Sequence, residues 1–323
     1  MKQQAFEQAH EAQWTTFEAA LRQLDRKPRG GADAAAEDFP ASYRRVCHHL
    51  ALARERRYTA ALIRRLNDLA LRGHHALYGA RPGLQQKWLR FLRSGFPRLV
   101  RANWRAVALA SALFYLPFLG LPFAVHRNPE VAYLVQDPQS LARMEEMYRG
   151  GGAKFGRKDA ADTDVYMFGF YIWNNLRITF QVFASGLALG LGSVIFLLVN
   201  GLQGGAVAGH LTRMGLGGNF WSFVVTHSAL ETTGLVLAGA AGMKLGFALL
   251  SPGRKSRLQA LKDASRSGVA IVYGAALMVF LAAFFEAFWS SSALVPPTMK
   301  FIVGGSLWAL VAAYFLFGGR RHV

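Results

Sequence analysis

The sequence is poor in cysteine and lacks the short motifs that mark nucleotide-binding or proteolytic enzymes. Its one cysteine, Cys47, excludes a disulfide within the chain. The N-terminal segment contains no apolar stretch followed by a small-residue cleavage site, so we expect no signal peptide to be removed. A phosphate-binding loop, a kinase signature and an H-E-x-x-H motif are all absent from the sequence. We therefore expect a protein that is not an enzyme and that binds neither a metal nor another cofactor.

Positive charge is in excess and is concentrated near the N-terminus. The chain has 37 Lys and Arg against 19 Asp and Glu, and residues 41–105 carry 15 of the basic residues but only two acids. Nucleic acid binding is one interpretation, and a cytoplasmic region that faces anionic lipid headgroups is the other. The basic stretch leads directly into an apolar segment and carries no zinc, helix-turn-helix or RNA-binding signature. We therefore favour lipid as the partner over nucleic acid.

The last two-thirds of the chain hold long apolar segments. A membrane core of ~30 Å requires about 20 apolar residues in a helix, and these segments meet or nearly meet that length. They are 106–125, 168–211, 223–250, 268–289 and 301–318. The sequence thus predicts an all-α polytopic transmembrane helical bundle over residues 105–323, preceded by a basic helical cytoplasmic region over residues 1–104.

The distribution of charge predicts about six membrane spans. Basic residues are enriched in cytoplasmic loops, which places the N-terminal region, the loop at 254–266 and the tail at 320–321 in the cytoplasm. All three fall there only if the segment 168–211 crosses the membrane twice, with a turn at about 187–191. We expect a multi-pass protein of the bacterial inner membrane with both termini cytoplasmic and an outer loop at about 126–165.

The N-terminal region itself reads as a series of helices. Apolar residues recur at helical spacing over residues 3–24, and a second, longer helix is predicted over residues 41–72. A flexible connection at 27–40 separates these helices, and residues 73–83 are expected to end the second one. Residues 84–104 alternate apolar residues with arginines and bend at Pro97. That pattern fits a helix in the membrane interface or one packed against the preceding helices.

Several central motifs resemble those of one membrane protein family. The sequence reads N-N-L-R-I-T-F at 174–180, V-N-G-L-Q-G-G at 199–205, T-H-S-A-L-E-T-T-G at 226–234 and A-A-F-F-E-A-F at 282–288. These motifs, with H-H-A-L-Y at 74–78, resemble the stage II sporulation protein M family over roughly residues 43–317. One departure is Ser228, where family sequences commonly have glycine. The resemblance implies an integral membrane protein that, in spore formers, works with cell-wall-degrading partners, and relatives also occur in bacteria that never sporulate.

Ionisable and amide side chains inside the apolar segments form the candidate site. A charge at membrane depth is costly, so its presence requires a reason. We expect an intramembrane polar cluster made of Asn174, Asn175, Arg177, His227, Glu231 and Glu286. His227 and Glu231 are four residues apart and share one helix face. A structural pair between Glu231 and Arg177, a proton relay and a metal site are the alternatives, and the pair is favoured because no third metal ligand recurs nearby.

Small residues mark the expected helix contacts. Two G-x-x-x-G patterns, Gly186 to Gly190 and Gly242 to Gly246, predict close helix packing, and Asn200-Gly201 is expected to break or cap a helix. A serine protease built on Ser185 is disfavoured because residue 183 is Phe rather than Gly.

These features predict a structural or scaffolding subunit of an envelope or cell-wall-remodelling complex. Its expected partners are anionic lipids, other envelope membrane proteins and a second copy of the chain. The alternative is a permease or channel subunit that uses Arg177, His227, Glu231 and Glu286 as a substrate or proton path.

Overall fold

The computed structural model describes residues 2–26, 38–78, 84–149 and 163–320, and over these ranges the protein is all-α. Its helices follow one another along the chain with short turns between most of them. They are α1 (Gln3–Arg26), α2 (Phe39–Glu55), α3 (Ala60–Tyr78), α4 (Leu84–Arg90), α5 (Phe96–Ala102), α6 (Trp104–Arg127), α7 (Glu130–Val135), α8 (Pro138–Tyr148), α9 (Asp164–Ala184), α10 (Leu191–Arg213), α11 (Gly217–Leu250), α12 (Arg257–Phe284) and α13 (Pro297–Phe317). The all-α polytopic architecture predicted from the sequence is confirmed.

Helices α1 to α3 form the N-terminal unit, which comprises residues 1–87. The predicted amphipathic helix is α1, and its aromatic stripe is buried against α2 and α3. Trp14 is fully buried, and its indole Nε1 donates a hydrogen bond to His49 Nδ1 at 3.1 Å. Burial and the nearby positive charges of His10 and His48 lower the pKa of His49 to about 4.

The predicted long helix over residues 41–72 is two helices, which corrects that expectation. Helix α2 ends at Glu55, and α3 begins at Ala60 after a turn in which Arg57 has a φ of 53°. The turn reverses the chain so that the apolar faces of α2 and α3 can meet. Helix α3 also continues through Gly73, where the sequence predicted a break. Tyr43 and Phe17 pack where a side chain at Gly73 would stand, so this glycine allows close packing rather than ending the helix.

The second unit comprises residues 88–323, so residues 88–104 belong with the membrane helices rather than with the basic N-terminal region. A π-helical turn (Phe91–Gly95) follows α4, and α5 then begins with Pro97 in its first turn. Phe96 and Val100 of α5 are buried beside Ile271 of α12. The guanidinium of Arg101 donates to two carbonyl oxygens at the end of α13, which ties α5 to the last helix.

Five helices of the described ranges are long and apolar enough to cross a membrane: α6, α10, α11, α12 with the π-helical turn that continues it (Phe285–Ser290), and α13. Helix α11 lies at the centre: 67% of the residues in its 18-residue apolar stretch are buried, compared with 11% for the corresponding stretches of α6 and α13. The segment 168–211 turns between α9 and α10 through a 3-10 turn at Ser185–Leu187, next to the turn that the charge distribution predicted at about 187–191. Helix α9 has 21 residues but falls short of the hydropathy of the five.

The expected outer loop at 126–165 contains two short helices, α7 and α8, in its first half. Leu141 and Ala132 are buried against Val125 at the end of α6. Residues 150–162 of this loop and most of the predicted connection at 27–40 lie outside the described residues.

Candidate intramembrane polar site

The site is centred on two side chains of α11. His227 and Glu231 lie one turn apart, and the distance between His227 Nε2 and Glu231 Oε2 is 3.7 Å. Only 4% of His227 is exposed, whereas 31% of the Glu231 side chain remains accessible. The sequence predicted this adjacency from the four-residue spacing. The pair therefore has one buried member and one member that reaches a more open surface.

A π-helical turn brings a second carboxylate to α11. At residues 285–290 the helix widens after α12, and this turn buries both Glu286 and Ser290. Ser290 Oγ lies 3.2 Å from His227 Nδ1. Such turns are often found at functional sites because they change the direction of side chains within a helix. The turn thus places a hydroxyl on Nδ1 of His227 and adds the Glu286 carboxylate to the same cluster.

Helix α9 completes the site with an amide. Asn175 is buried, and its Nδ2 donates to Glu286 Oε2 at 3.1 Å. Asn174 Nδ2 donates in turn to Asn175 Oδ1 at 3.0 Å, and the Thr179 hydroxyl donates to the Asn175 carbonyl at 2.7 Å. Thr179 contacts the backbone carbonyl of Asn175, whereas the side-chain amide is held between Asn174 and Glu286, which fixes its orientation against the carboxylate.

A tyrosine of α8, Tyr148, lies near the cluster. Tyr148 is buried against the rings of Phe220 and Phe223, and its backbone carbonyl accepts a hydrogen bond from Asn219. Burial, followed by the nearby charge of Glu286, raises the pKa of the Tyr148 phenol well above its usual range. The phenol therefore remains neutral.

Together these elements bring one imidazole and two carboxylates close to one another. The ligand atoms of His227, Glu231 and Glu286 all lie within 4.8 Å. Two carboxylates at this separation repel each other when both are ionised, and the repulsion grows in a medium of low dielectric constant. The arrangement can therefore share a proton between its members or hold a cation.

Comparisons with known proteins add a family to this geometry. The family model described as Stage II sporulation protein M matches residues 106–291, which is more than half of the chain. The chain belongs to the stage II sporulation protein M family. A second family model, described as a domain of unknown function, matches residues 4–79. Searches of the curated proteins and of the solved structures found no significant match.

The match to the stage II sporulation protein M family covers the polar site but not α13, which lies next to it. Asn175, His227, Glu231 and Glu286 all fall inside residues 106–291, whereas α13 begins after them at Pro297. Lys300 of α13 is 1% exposed, and its Nζ donates to the Ser290 carbonyl at 2.7 Å. Sequence analysis gave no role to Lys300, Ser290 or Tyr148.

The expected pair between Arg177 and Glu231 is not formed, which corrects the favoured interpretation. Arg177 lies on the exposed face of α9, and its guanidinium is 4.7 Å from the centroid of the Trp173 ring. Residues two apart on a helix differ by about 200° in direction, so Asn175 and Arg177 cannot both face the bundle. Glu286, which the sequence analysis placed in the polar cluster but not as a metal ligand, is the third potential ligand beside His227 and Glu231.

The glycines of this stage II sporulation protein M family member make the closest helix contacts. A Cβ on Gly186 would collide with the backbone of Gly242, and a Cβ on Gly246 would collide with the backbone of Gly190. The two G-x-x-x-G patterns therefore face each other. Gly190 has a φ of 84°, a conformation that favours glycine, at the start of α10.

The predicted helix break at Asn200-Gly201 is absent from α10, which runs without interruption from Leu191 to Arg213. The Asn200 amide donates to the carbonyl of Phe196 one turn earlier, so its polar side chain is satisfied within the helix. Gly201 packs against the Phe114 carbonyl of α6. Its role is close packing rather than helix termination.

Proposed function

We propose that this protein is a non-enzymatic scaffolding subunit of an envelope complex in the bacterial inner membrane, with both termini in the cytoplasm. The observation that carries the proposal is the central position of α11. Its stretch from Gly234 to Gly246 is almost entirely buried, and this stretch consists mainly of glycine, alanine and leucine. A membrane protein whose centre is a packed helix is suited to holding other helices in fixed positions.

The tightness of this centre argues against a conduit along the bundle axis. A Cβ on Gly239 would meet the side chain of Leu197, and one on Gly242 would meet Ser193 Oγ and a carbonyl of α9. Small residues in membrane helices allow backbones to approach closely, which leaves little space between them. A water-filled path through these contacts would require the helices to separate.

The peripheral helices supply surface for lipids and partner helices. Helix α6 exposes Leu116 at 71% and Phe123 at 75%, and α13 exposes Leu310 at 64%. In a soluble protein such exposure would be unfavourable, but in a membrane it is the surface on which acyl chains or other transmembrane helices pack. This surface supports other membrane proteins, or a second copy of the chain, as partners.

A cleft at one end of the bundle supports anionic lipid as a further partner. The cleft has a volume of about 770 Å³ and is lined by Trp104, Arg105, Lys244 and apolar residues of α10 and α11. Lys244 Nζ is oriented by hydrogen bonds to Asn103 Oδ1 at 2.6 Å and to Ser267 Oγ at 2.7 Å. Cations beside apolar walls suit a negatively charged headgroup and its acyl chains.

The alternative is a permease or channel subunit, and the polar site favours it. His227 and Glu286 are buried and Glu231 is half-buried, and ionisable groups inside membrane helices often belong to proton or ion pathways. The side chain of Glu231 keeps 31% of its surface accessible, so water could reach this part of the cluster.

Two measurements separate the functions. Purified protein in liposomes should give proton and ion fluxes equal to those of empty liposomes if it is a scaffold. Photo-crosslinking residues placed at Leu116 and Leu310 should give discrete protein adducts in native membranes, and one at Leu237, which is 1% exposed, should give none. A protein-dependent flux that Glu231→Gln abolishes would overturn the scaffold and support the permease.

A further inference from the structure

We propose that His227, Glu231 and Glu286 bind one divalent transition-metal ion that joins α11 to the π-helical turn after α12. The inference goes beyond scaffolding and does not depend on it. The sequence predicted no metal because a third ligand was missing next to His227 and Glu231. The fold supplies that ligand from a residue 55 positions further along the chain than Glu231.

The spacing of the ligand atoms fits a single ion. All three atoms lie within 4.8 Å of one another. Ligands at about 2.0–2.2 Å from one Zn²⁺ are separated by at most about 4.4 Å, so small side-chain rotations bring the three into coordination. His227 and Glu231 lie on α11, and Glu286 lies on the π-helical turn after α12. The ion would therefore form a second link between two elements that the hydrogen bond between His227 and Ser290 already connects.

The surrounding hydrogen bonds orient the ligands as metal sites require. A proton on His227 Nδ1, donated to Ser290 Oγ at 3.2 Å, leaves the Nε2 lone pair directed towards Glu231. Metal-binding histidines almost always donate their second ring nitrogen to such a partner. Asn175 donates to one oxygen of Glu286 and leaves the other oxygen for coordination.

The charge balance supplies the physical reason for a cation. Two ionised carboxylates inside membrane helices are costly unless an opposite charge accompanies them. Within the described ranges, no Lys or Arg forms an ion pair with Glu231 or Glu286, and Arg177 stacks on Trp173 instead. A divalent ion would cancel the two negative charges completely.

The chemistry of the ligands indicates which ion fits. One imidazole nitrogen and carboxylate oxygens, without sulfur, suit Zn²⁺, Mn²⁺ or Fe²⁺ better than Cu⁺, and Ca²⁺ and Mg²⁺ prefer oxygen ligands alone. Three protein ligands leave a further coordination position for water or another group.

The test uses the full-length protein without a histidine tag, purified in detergent and stripped with a chelator. We expect about one Zn²⁺ per chain at micromolar free metal, and a Co²⁺ spectrum typical of nitrogen and oxygen ligands. His227→Ala and Glu286→Gln should abolish this binding. Ser290→Ala, which retains all three ligands, should weaken it 10-fold to 100-fold because the imidazole loses its orientation.

The matched control is a second histidine–glutamate pair. His210 Nε2 lies 2.8 Å from Glu145 Oε1, and the described residues place no second carboxylate in that pair. Glu145→Gln should therefore leave Zn²⁺ binding unchanged. If the ligand variants fail to fold, the unmodified chain and Ser290→Ala still decide the question. Absence of Zn²⁺ binding by the unmodified chain would overturn the proposal, and so would binding that Ser290→Ala leaves unchanged. Binding that is lost only in His49→Ala would place the metal in the N-terminal unit and would also overturn it.

Discussion

The glycine contacts between α11 and the turn before α10 allow a sharp test of the packing. A Cβ added at Gly246 would meet the backbone nitrogen and Cα of Gly190 and the carbonyl carbon of Leu189. All three atoms would be closer than 3.0 Å, a distance that real Cβ atoms essentially never show. Because the added Cβ would clash with backbone atoms of Leu189 and Gly190, no side-chain rotation can relieve the clash. Gly246→Ala must therefore displace a helix or the turn.

The magnitude follows from two opposing effects. Replacing glycine by alanine within a helix stabilises it by up to about 1 kcal/mol. Overpacking a well-packed core costs about 1–3 kcal/mol, and contact with backbone belongs at the upper end of that range. We expect Gly246→Ala to lower the free energy of unfolding by about 2 kcal/mol, which is roughly a 30-fold change in the folding equilibrium.

The assay is denaturant or thermal unfolding of the purified protein in detergent, with Gly305→Ala as the matched control. A Cβ at Gly305 on α13 would meet nothing within 4 Å, so that variant gains helix propensity without a clash. It should be as stable as the unmodified chain or slightly more stable. If Gly246→Ala and Gly305→Ala unfold at the same point, the close contact between α11 and the turn is wrong.

Three further predictions concern other parts of the chain. Lowering the pH from 6.5 towards 4 should destabilise α1–α3, because His49 binds a proton in the unfolded chain but stays neutral in the folded state, where its pKa is lowered to about 4. Hydrogen exchange corrected for its intrinsic rate should then accelerate, and His49→Gln should remove the effect. Arg177→Leu should change the free energy of unfolding by less than about 1 kcal/mol because the side chain is exposed, and a larger loss would contradict that position. In a cysteine-free background, a cysteine introduced at Gln139 should react with an impermeant label from outside, whereas one introduced at Leu258 should react only after permeabilisation. Labelling of the cysteine at position 258 from outside would exclude six spans.

The sequence was informative about the membrane helices because their signal is local. Hydropathy averaged over about 20 residues identifies a candidate span without knowledge of its neighbours, and the positive-inside rule then predicts the number of crossings. A turn at about 187–191 was predicted in this way from charges more than 60 residues distant, and the structure has a 3-10 turn at Ser185–Leu187. The amphipathic helix α1 was predicted from the spacing of its aromatic residues.

The polar site was only partly predictable because its members come from three helices. The four-residue spacing gave His227 and Glu231, but depth alone was used to assign Arg177 to them. Depth does not determine direction: Asn175 and Thr179 are four residues apart and face the bundle, and Arg177 between them faces away. Helical periodicity within α9 would have separated Arg177 from the site before the structure was known.

The remaining members depended on features that no local pattern records. Ser290 reaches His227 because the helix widens into a π-helical turn after Phe284, and such turns have weak sequence signals. Tyr148 belongs to α8, inside the segment that the sequence predicted only as an outer loop at about 126–165. The N-terminal error at 41–72 has a similar origin, since a reversal at Arg57 leaves the apolar periodicity on both sides intact.

Helix α9 is less apolar than the five helices that qualify as spans, so its contacts with the bundle decide whether it can cross the membrane. Its 21 residues would extend about 32 Å, enough to cross a membrane core of about 30 Å. Its polar residues have separate solutions: Asn175 is hydrogen-bonded inside the bundle, and Arg177 stacks on Trp173, with a long side chain that can extend towards the interface. At its other end, Gly186 in the turn that follows α9 packs against the backbone of Gly242. Asn175 and Gly186 are about 16 Å apart along the helix direction, so two separate contacts hold this segment against its neighbours. A helix held at two such points does not need the hydropathy of an isolated span, and we therefore expect α9 to cross the membrane as the sixth helix.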